Sequence, residues 1–505
     1  MKIVIRTDAS IHIGSGHVMR CLVLAQALVL QGHKVSFACR PQAGDLIQFV
    51  RNKGFHVDEL IQAQTLIEPR NSGDYQAWLQ VPWLDDAQSL CKQVCNADLL
   101  IVDHYALNQE WQTWVKQRLG CKVFVIDDLV RTHDADLILD QTLMRVVDEY
   151  QENNQSAKIL TGCEFALLNP FFSRYREQAL DNDLLPAEPK VLISMGGIDQ
   201  PNATLKVLEA LALHPLPKPC VTVLLGPKAP NYEQVKAFCV ENQDWIQHID
   251  FVENMAELML EHSIAIGAPG TTSWERACLG IPSIIVPLAE NQNTISQNLV
   301  ACEAAIRVNI TALSSELLSA YLTLLTKWNS FRGTNLALCD GLGLQRVLHH
   351  IQMLFDNDLA SLEIRRASSS DIEKVYEWQC LSETRKYALN SAVPTWNEHQ
   401  SWMKKKLTCY QDYFYLLECP LEQARVGVVR LDRIRPGEYL VSIFIDPAFY
   451  SKGIAKRALA YIDCIHPNIT IHATVLEANL ASQKLFTSAS YQRLSRDTFI
   501  RPPLF

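Results

Sequence analysis

The stretch Ile13-Gly14-Ser15-Gly16-His17-Val18-Met19-Arg20 decides how the first part of the chain folds. It follows an apolar segment, Lys2–Arg6, that predicts a strand, and it leads into an apolar helix predicted over Met19–Leu30. A strand, a glycine turn and a helix leave free backbone N–H groups at the helix N-terminus, which suits an anion or a polar sugar. The two glycines allow a tight turn and a close approach of a ligand.

His17 falls in the first turn of this helix, at the carboxyl edge of the strand, where open α/β sheets bind ligands. Imidazole is suited to proton transfer near neutral pH, and a helix N-terminus favours its neutral, basic form. His17 is therefore the candidate catalytic residue, and Gly14 and Gly16 are candidate substrate-binding positions. The alternative is that His17 only caps the helix or fills a polar pocket.

Length and charge limit the possible classes of protein. A chain of 505 residues predicts two to four domains, and its net charge of -9 argues against non-specific binding of nucleic acid. The 15 cysteines are scattered without a CxxC pair, which is typical of reduced thiols in a cytosolic protein. No apolar leader or membrane-spanning run is present in this sequence, so we expect a cytoplasmic protein without membrane or nucleic-acid partners.

The first 150 residues alternate short apolar runs with helical segments, which predicts a parallel sheet buried on both faces. The predicted strands are Lys2–Arg6, Val35–Cys39, Leu99–Asp103, Val123–Asp127 and Leu137–Asp140. Acidic residues end several of them: Asp8, Asp103 (followed by His104 and Tyr105), Asp127 and Asp128. In a parallel sheet these side chains gather at the edge that holds His17, where they could orient the imidazole or bind a sugar. Capping of the following helices is the equally simple alternative.

A polar segment with prolines, residues 181–189, predicts a linker, and a second α/β series follows it. Its predicted strands are Lys190–Ser194, Val221–Leu225, Ile264–Gly267 and Ile281–Pro287, with a short strand or turn at Phe251. The first of these strands runs into Gly196 and Gly197, a close backbone approach before a helix over Thr204–Leu213. Two doubly wound domains that face each other would form a ligand cleft between their carboxyl edges.

The segment 267–275, Gly-Ala-Pro-Gly-Thr-Thr-Ser-Trp-Glu, repeats the pattern of strand, glycine turn and helix, now with three hydroxyl groups. Backbone N–H groups, the hydroxyls of Thr271 and Thr272 and the positive helix end could hold a diphosphate without a metal ion. Glu275 is placed to accept hydrogen bonds from the two hydroxyls of a ribose. An ordinary strand–helix turn with an N-cap is the alternative.

The pattern changes after a second predicted linker, residues 356–361. From Leu362 a strand and a helix precede antiparallel-looking strands, Tyr413–Glu418, Val426–Asp432 and Glu438–Ile445, which predicts a separate α+β domain. The turn at 450–455 opens a basic helix that could hold a pyrophosphate.

The first 350 residues resemble the nucleotide-sugar hydrolases of pseudaminic acid biosynthesis, which are similar in fold to metal-independent GT-B glycosyltransferases. The resemblance is carried by GSGHVMRCLVLAQAL at 14–28, DHY at 103–105, IDD at 126–128, LISMGG at 192–197, GAPGTTSWERACLGIPS at 267–283 and LAENQ at 288–292. It implies that UDP is removed from UDP-2,4-diacetamido-2,4,6-trideoxy-β-L-altropyranose. It also implies that His17 is the base, that Glu275 binds the nucleoside, and that Asn291 and Gln292 meet the sugar or phosphate. Direct attack by water would invert the anomeric carbon.

The last domain resembles the GNAT acetyl-CoA-dependent N-acyltransferases over about residues 362–500. Their Q/R-x-x-G-x-G/A turn is matched imperfectly, since Tyr450 takes its first position. The resemblance implies acetyl-CoA as acyl donor and a cofactor site at Ile445, Lys452, Gly453, Ala455, Lys456 and Asn479. Phe486 stands where the family often has a tyrosine acid, with Glu477 and Tyr491 as possible substitutes. A GNAT fold that binds without catalysing is the alternative.

The sequence therefore predicts two Rossmann-like domains of GT-B type, residues 1–184 and 185–355, and a GNAT domain over 362–505. The two resemblances fit consecutive steps on one UDP-sugar: N-acetylation of a 4-amino precursor, then release of UDP. A glycosyltransferase with a UDP-sugar donor and a sugar-nucleotide sensor without turnover are the competing hypotheses. The sequence does not fix the stereochemistry of the sugar, so a substrate of the related legionaminic acid pathway is an alternative. No metal ion is expected.

Overall fold

A computed structural model describes residues 1–71, 73–213, 218–356 and 362–504. The chain divides into two compact units, one formed by residues 1–179 and 183–348 and the other by residues 180–182 and 349–505. The predicted linker at 356–361 lies outside the described residues beyond Asp356. The boundaries at 184/185 and 355/362 stay predictions.

The first unit begins with a seven-stranded parallel sheet in the order β3-β2-β1-β4-β5-β6-β7. Its strands are short apolar runs because both faces are covered by helices. They are β1 (Lys2–Thr7), β2 (Lys34–Cys39), β3 (His56–Glu59), β4 (Leu99–Asp103), β5 (Lys122–Ile126), β6 (Leu137–Asp140) and β7 (Lys158–Thr161). The helices are α1 (Gly16–Leu30), α2 (Ile47–Asn52), α3 (Tyr75–Leu79), α4 (Trp83–Gln93), α5 (Gln109–Leu119), α6 (Asp148–Gln151) and α7 (Pro170–Ala179).

A second parallel sheet, of six strands, has the order β10-β9-β8-β11-β12-β13. Its strands are β8 (Lys190–Ser194), β9 (Cys220–Leu224), β10 (Ile246–Ile249), β11 (Ile264–Gly267), β12 (Ser283–Ile285) and β13 (Ala305–Arg307). The accompanying helices are α8 (Ala203–Ala212), α9 (Tyr232–Glu241), α10 (Met255–Leu260), α11 (Thr271–Cys278), α12 (Asn293–Ala301), α13 (Leu313–Thr326), α14 (Trp328–Leu338) and α15 (Gly343–Met353).

Helix α7 follows the last strand of the first sheet but packs against the domain of the second sheet, so it joins the two. The buried guanidinium of Arg176 donates to the carbonyl oxygens of Cys278, Leu336 and Cys339 at 2.7–3.0 Å. At the start of α15, a Cβ on Gly343 would lie 2.4 Å from backbone atoms of Ala166, so only glycine fits there. This tight backbone packing fixes the two sheets within one unit.

The second unit contains a mixed sheet in the order β14-β15-β16-β17-β18-β20-β19. Its strands are β14 (Glu363–Arg366), β15 (Tyr413–Cys419), β16 (Ala424–Arg435), β17 (Glu438–Ile445), β18 (Thr470–Thr474), β19 (Gln492–Arg493) and β20 (Thr498–Arg501). The helices are α16 (Ile372–Cys380), α17 (Ser382–Arg385), α18 (Trp396–Thr408), α19 (Ile454–Ile465) and α20 (Leu480–Ser488). The doubly wound sheets and this α+β sheet confirm the predicted fold class.

The strand predictions agree with the structure in place, and their ends differ by one or two residues at most positions. The strand or turn proposed at Phe251 was wrong, since the strand of that region is β10 and ends at Ile249. Strands β3 and β7 were not predicted, because each has only four residues and begins with a polar or charged residue, His56 or Lys158. No helix of the described residues is long and apolar enough to cross a bilayer.

Candidate functional site

The loop between β1 and α1 is shaped by Ser10 and Gly14. The Ser10 hydroxyl accepts the N–H groups of His12 and Ile13 at 3.2 Å, and the Ser10 carbonyl accepts the N–H of Gly14 at 2.8 Å. Gly14 has a φ of +78°, which favours glycine. The loop therefore turns sharply, and α1 begins at Gly16 with no side-chain cap at its N-terminus.

His17 and Asp103 form the centre of the site. His17 Nδ1 lies 2.6 Å from Asp103 Oδ1, which joins the first turn of α1 to the carboxyl end of β4. The register of β1 with β4 pairs Thr7 with Asp103, so the acid reaches the helix that follows β1. Asp103 is fully buried, whereas the His17 side chain is 11% exposed.

Arg20, one turn further along α1, chelates the same carboxylate. Its Nε and Nη2 donate to the two oxygens of Asp103 at 2.7 Å each. Burial by itself would raise the pKa of Asp103, but Arg20 and His17 hold it well below its usual range. Because Asp103 is an anion, His17 Nδ1 carries the proton and donates it, and the 3.2 Å contact from Arg20 Nη2 to Nδ1 is not a hydrogen bond. In the neutral form of the ring, the lone pair is then on Nε2.

An aromatic wall of Tyr75, Trp78 and Tyr105 stands beside the imidazole. Tyr105 packs edge-on against His17 with ring centroids 4.8 Å apart, and Trp78 lies at 6.0 Å. Tyr75 contacts both Trp78 and Tyr105 at 4.8–4.9 Å. Gln80 ends α3 in a left-handed backbone conformation, and its side-chain amide accepts the Ile67 N–H and donates to the Ile67 carbonyl.

Of the sequence-predicted triplet at 103–105, His104 does not face the imidazole of His17. Its ring is buried, with Nδ1 accepting from the Ala106 N–H at 3.1 Å and Nε2 3.4 Å from Asp8. Asp8 in turn is fully buried and bonded to Arg6 at 2.6 and 2.8 Å. His104 and Asp8 belong to a buried ion network rather than to the open site. Asp8, one of the acids expected to orient the imidazole or bind a sugar, instead has both carboxylate oxygens bonded to Arg6.

Asp128 and Arg131 complete the polar side of this site, and Tyr75 lies near their charges. Arg20 Nη1 lies 3.9 Å from Asp128, and the Arg131 guanidinium lies 5.9 Å from the Tyr105 ring centroid. Burial raises the pKa of Tyr75, and the carboxylates of Asp128 and Glu290 raise it further. Glu290 belongs to the turn that precedes α12, so that turn lies within electrostatic reach of the aromatic wall.

The second glycine turn, 267–270, leads from β11 into α11. A Cβ on Gly267 would lie 2.4 Å from the Ser194 carbonyl oxygen and 2.7 Å from Arg276 Nη1, so the close approach requires glycine. The Ser273 hydroxyl accepts the N–H of Gly270 at 3.3 Å and a bond from Arg276 at 3.2 Å. Ser273 therefore caps the helix, and the Thr272 hydroxyl donates to the Ala268 carbonyl at 3.4 Å, so the Thr271 hydroxyl is the one without a hydrogen-bond partner among the described residues.

Glu275 and Arg276 follow in the first turns of α11. Burial raises the pKa of Glu275 to about 7, against the influence of Arg276, and burial lowers the pKa of Arg276 to about 10. Glu275 is partly buried and Arg276 almost completely so. Glu275 has no ion-pair or hydrogen-bond partner among the described residues.

The remaining predicted residues of the second sheet have different surroundings. Gly196, with a φ of +92°, and Gly197 are exposed after β8, with open space beside both. The Gln292 side chain is used within its own turn, where it accepts the Leu288 N–H at 2.8 Å. The side chain of Asn291 lies outside the described part of the structure.

In the second unit, β17 and β18 separate and open a cavity of about 1250 Å³. They pair in parallel only from Glu438 to Leu440, and the remainder of β17 up to Ile445 lines the cavity. Unpaired backbone groups on such a strand edge can bind an extended amide-containing arm. The cavity continues past Arg430 and Trp402 to the segment 383–390.

Most predicted cofactor residues line this cavity: Ile445, Gly453, Ala455, Lys456 and Asn479. Gly453 is the N-cap residue of α19 and has a φ of +75°. A turn of this conformation can direct backbone N–H groups toward an anion. Asn479 Oδ1 caps α20 by accepting the Ser482 N–H at 3.0 Å. Lys452 does not line the cavity, because it pairs with Glu422 at 3.0 Å and covers the Phe449 ring.

Phe486 lines the cavity, but neither residue considered as a substitute acid does. The Tyr491 hydroxyl is buried behind the Phe486 ring, whose centroid is 5.1 Å from that of Tyr491. Glu477 is largely exposed and lies 3.7 Å from Arg496. Within the described ranges, His, Cys, Asp and Glu side chains form no group of three suited to a metal ion.

Sequence reasoning named Asp128 among the strand-end acids, but it gave no role to Arg20, Arg131 or the wall residues Tyr75 and Trp78. Arg20 stands three residues after His17, which is one helical turn, so a search of the helix face could have found it. The wall residues carry no such signal, because they come from a short helix in the long connection after β3.

Fold and sites define a protein with a GT-B-like pair of Rossmann-like domains and a GNAT acetyltransferase domain. Residues 199–335 match the model of the glycosyltransferase family 28 C-terminal domain, and residues 361–492 match that of the acetyltransferase (GNAT) domain. MurG of Acinetobacter baumannii superposes with a TM-score of 0.50 at 17% identity, over 70% of this chain and 99% of MurG. That likeness shows the fold.

Two sequence relatives are more specific. The chain is 28% identical to UDP-2,4-diacetamido-2,4,6-trideoxy-β-L-altropyranose hydrolase of Campylobacter jejuni, over 52% of this chain and 82% of the hydrolase. It is 23% identical to an uncharacterized protein of Methanocaldococcus jannaschii over 98% of both chains. The chain is thus homologous to the hydrolase over about half its length, and it joins this half to a GNAT domain.

Proposed function

We propose that the chain is a bifunctional enzyme of UDP-sugar metabolism. The GT-B-like half hydrolyses UDP-2,4-diacetamido-2,4,6-trideoxy-β-L-altropyranose to UDP and the free sugar, without a metal ion. The GNAT domain acetylates the 4-amino group of the preceding UDP-sugar with acetyl-CoA. Consecutive action of the two domains would place the chain in pseudaminic acid biosynthesis.

The observation that carries the first activity is the hydrogen bond of 2.6 Å from His17 Nδ1 to Asp103. It fixes the tautomer in which Nε2 accepts a proton, and Nε2 has no hydrogen-bond partner among the described residues. An imidazole oriented by a buried carboxylate is the arrangement of a general base. The 28% identity to the hydrolase supports water as the proton donor.

In the reaction, a water oxygen attacks the anomeric carbon while Nε2 takes the water proton. The bond from that carbon to the UDP oxygen breaks, and its electron pair leaves with UDP. Such help from a general base contributes about 10²–10⁴-fold in rate. Attack opposite the leaving group inverts the anomeric configuration.

The second sheet would hold the nucleotide. Thr271, Thr272 and the start of α11 suit the diphosphate, and Glu275 suits the ribose hydroxyls. Gly196 and Gly197 would let the backbone approach from β8, and Asn291 and Gln292 would contact the sugar or phosphate from the turn near Tyr75. Asp103 would act through His17, and Tyr105 would shield the imidazole of His17. Gly14 and Gly16 would lie beneath the substrate. His104 is assigned to the buried ion network.

In the GNAT domain, the amine nitrogen attacks the thioester carbonyl, the C–S bond breaks, and the thiol of CoA leaves with the proton that the amine loses. The separated strands β17 and β18 would hold the pantetheine arm, and the turn at Gly453 and Ala455 with Lys456 would hold the pyrophosphate. Acetyl-CoA is therefore the proposed acyl donor.

The first test measures release of UDP from the diacetamido sugar by the full chain. His17→Ala should lose most of the rate, whereas His56→Ala, an exposed histidine that pairs with Asp58, serves as the matched control. Reaction in ¹⁸O-labelled water should place the label on the sugar and none on UDP. Label in UDP would overturn attack at the anomeric carbon.

The match to a glycosyltransferase model favours one second candidate, a transferase with a UDP-sugar donor. Such an enzyme would release UDP only after an acceptor sugar is added, and a sensor would release none. The GNAT proposal is tested with acetyl-CoA and the 4-amino UDP-sugar, which should both be consumed in equal amounts. Consumption of neither would contradict it.

A further inference from the structure

Arg276 is a buried cation in an unusual position. It is 2% exposed, and its guanidinium folds back toward the start of α11, where Nη2 donates to the Ala268 carbonyl and the Ser273 hydroxyl at 3.2 Å each. The N-terminal end of a helix carries a partial positive charge, so a cation there is unfavourable unless an anion faces it. Arg276 Nε has no hydrogen-bond partner.

Protein carboxylates do not balance this charge. Two other arginines beside a predicted ligand site, the fully buried Arg6 and the partly buried Arg20, have aspartate partners at 2.6–2.7 Å. In the described ranges, no carboxylate lies within ion-pair distance of Arg276, and Glu275 acts on it only at longer range. A buried charge without an ionic partner costs several kcal/mol, so its retention needs a reason.

The position of the guanidinium supplies that reason. Nη1 lies 2.7 Å from where a Cβ on Gly267 would be, and Nη2 binds Ala268, so the cation is directly behind the glycine turn. The start of α11, the Thr271 hydroxyl and the guanidinium present positive charge or donors to one place, whereas the Thr272 hydroxyl donates to the Ala268 carbonyl. A group with two negative phosphates is the ligand that this combination complements.

We propose that Arg276 is a positioning residue that supplies the counter-charge for the diphosphate of the nucleotide, acting through the turn 267–270. The inference rests on the proposed nucleotide site of the second sheet. When the bond from the sugar to UDP breaks, negative charge grows on the departing phosphate, and a fixed buried cation stabilises that charge without reorganisation. Lysine in its place could not keep both contacts of the planar guanidinium.

The test compares the affinities of uridine, UMP and UDP for the full-length wild type and for Arg276→Met, by titration calorimetry at two salt concentrations. Uridine should bind both proteins alike, whereas UDP should bind the variant about 10- to 100-fold more weakly, the range for loss of a charged interaction. UMP should fall between them. Arg276→Lys should recover only part of the loss.

Arg332→Met is the matched control. Arg332 is also buried in this part of the chain, where it donates to the carbonyl oxygens of Leu279 and Gly280, and its loss should lower stability without changing the ratio of UDP to uridine affinity. Equal weakening of all three ligands by Arg276→Met would mean a purely structural role and overturn the inference. If Arg276→Met does not fold, Arg276→Lys is measured instead: a smaller loss of UDP affinity with unchanged uridine affinity supports the inference, and equal weakening of all three ligands overturns it.

These binding ratios do not depend on which sugar the enzyme cleaves. If wild type releases no UDP from the diacetamido sugar and the UDP ratio still changes, the hydrolase proposal fails and the role of Arg276 stands. If wild type cleaves the sugar and the ratio is unchanged, only the role of Arg276 fails.

Discussion

Arg20 holds both carboxylate oxygens of Asp103, through Nε and Nη2 at 2.7 Å. Because this carboxylate also accepts the proton of His17 Nδ1, the orientation of the imidazole depends on an arginine one helical turn away. Asp103 stays ionised although it is fully buried, since both cationic and N–H partners stabilise its charge. The proposed base is therefore set by a network of three side chains.

Asp103→Asn should lower kcat for UDP release by about 10²–10⁴-fold, because an amide that donates to Nδ1 selects the wrong tautomer of His17. KM should change much less, since Asp103 is buried and does not touch the substrate. Steady-state release of UDP checks both values. Asp134→Asn, which removes a partly exposed partner of Lys116, is the control, and an unchanged kcat in Asp103→Asn would contradict the role of His17 as base.

The pKa of Glu275, raised by burial to about 7, predicts a pH dependence of nucleoside binding. Ribose hydroxyls donate to the ionised carboxylate, so uridine affinity should increase as pH rises through 7 and level off above it. Below 7 the affinity should fall by about tenfold per pH unit at most. Uridine is the probe because it has no phosphate that titrates in this range. Glu275→Gln should bind weakly at every pH, and a pH-dependent Glu275→Gln would refute the assignment.

The same group predicts a pH dependence of stability. Between its ordinary pKa of 4.5 and about 7, Glu275 keeps a proton in the folded state that the unfolded chain has lost. The free energy of unfolding therefore decreases as pH rises through this window, and the loss is complete above 7. Thermal melts of wild type and Glu275→Gln at pH 5 and pH 8 check this: the wild type should lose more stability than the variant between the two.

Local patterns explain why the central sheet positions were predictable. Strands such as Leu99–Asp103 and Ile264–Gly267 are short apolar runs ended by an acid or a glycine, and the structure has both with the predicted bounds. The place of His17 at the start of a helix followed from the glycine turn alone. Its contact with Asp103 required the pairing of β1 with β4, which joins residues 86 positions apart.

Other features depend on contacts that no local pattern records. His104 is buried beside the ion network of Arg6, Asp8 and Asp86. The position of an acid at the end of a strand does not reveal such a network. Lys452 resembles a cofactor ligand by its place in the turn, yet Glu422, 30 residues earlier, takes its charge. Helix α7 precedes the predicted linker but packs on the second sheet, because Arg176 binds carbonyls there.

Gly267→Ala should destabilise the first unit and weaken UDP binding. The added Cβ would lie 2.4 Å from the Ser194 carbonyl oxygen, so β8 and β11 would have to separate, at a cost of about 1–3 kcal/mol. Denaturant unfolding and UDP titration measure the two effects. Gly197→Ala serves as the stability control, since its Cβ meets open space. Equal stability of both variants would mean that the strands are less tightly packed than the structure shows.

Lys456 and Lys452 allow a matched comparison in the acetyl-CoA site, because only Lys456 lines the cavity. Lys456→Met should weaken binding of acetyl-CoA about 5- to 10-fold by removing a cation near the proposed pyrophosphate position, as one charge-assisted contact would. Lys452→Met should have a smaller effect, since its charge is already shared with Glu422. Binding measured at two salt concentrations should show a weaker salt dependence for Lys456→Met than for wild type. A larger loss of acetyl-CoA affinity in Lys452→Met than in Lys456→Met would contradict this assignment. It would mean that Lys452 leaves Glu422 and contacts the pyrophosphate instead of Lys456.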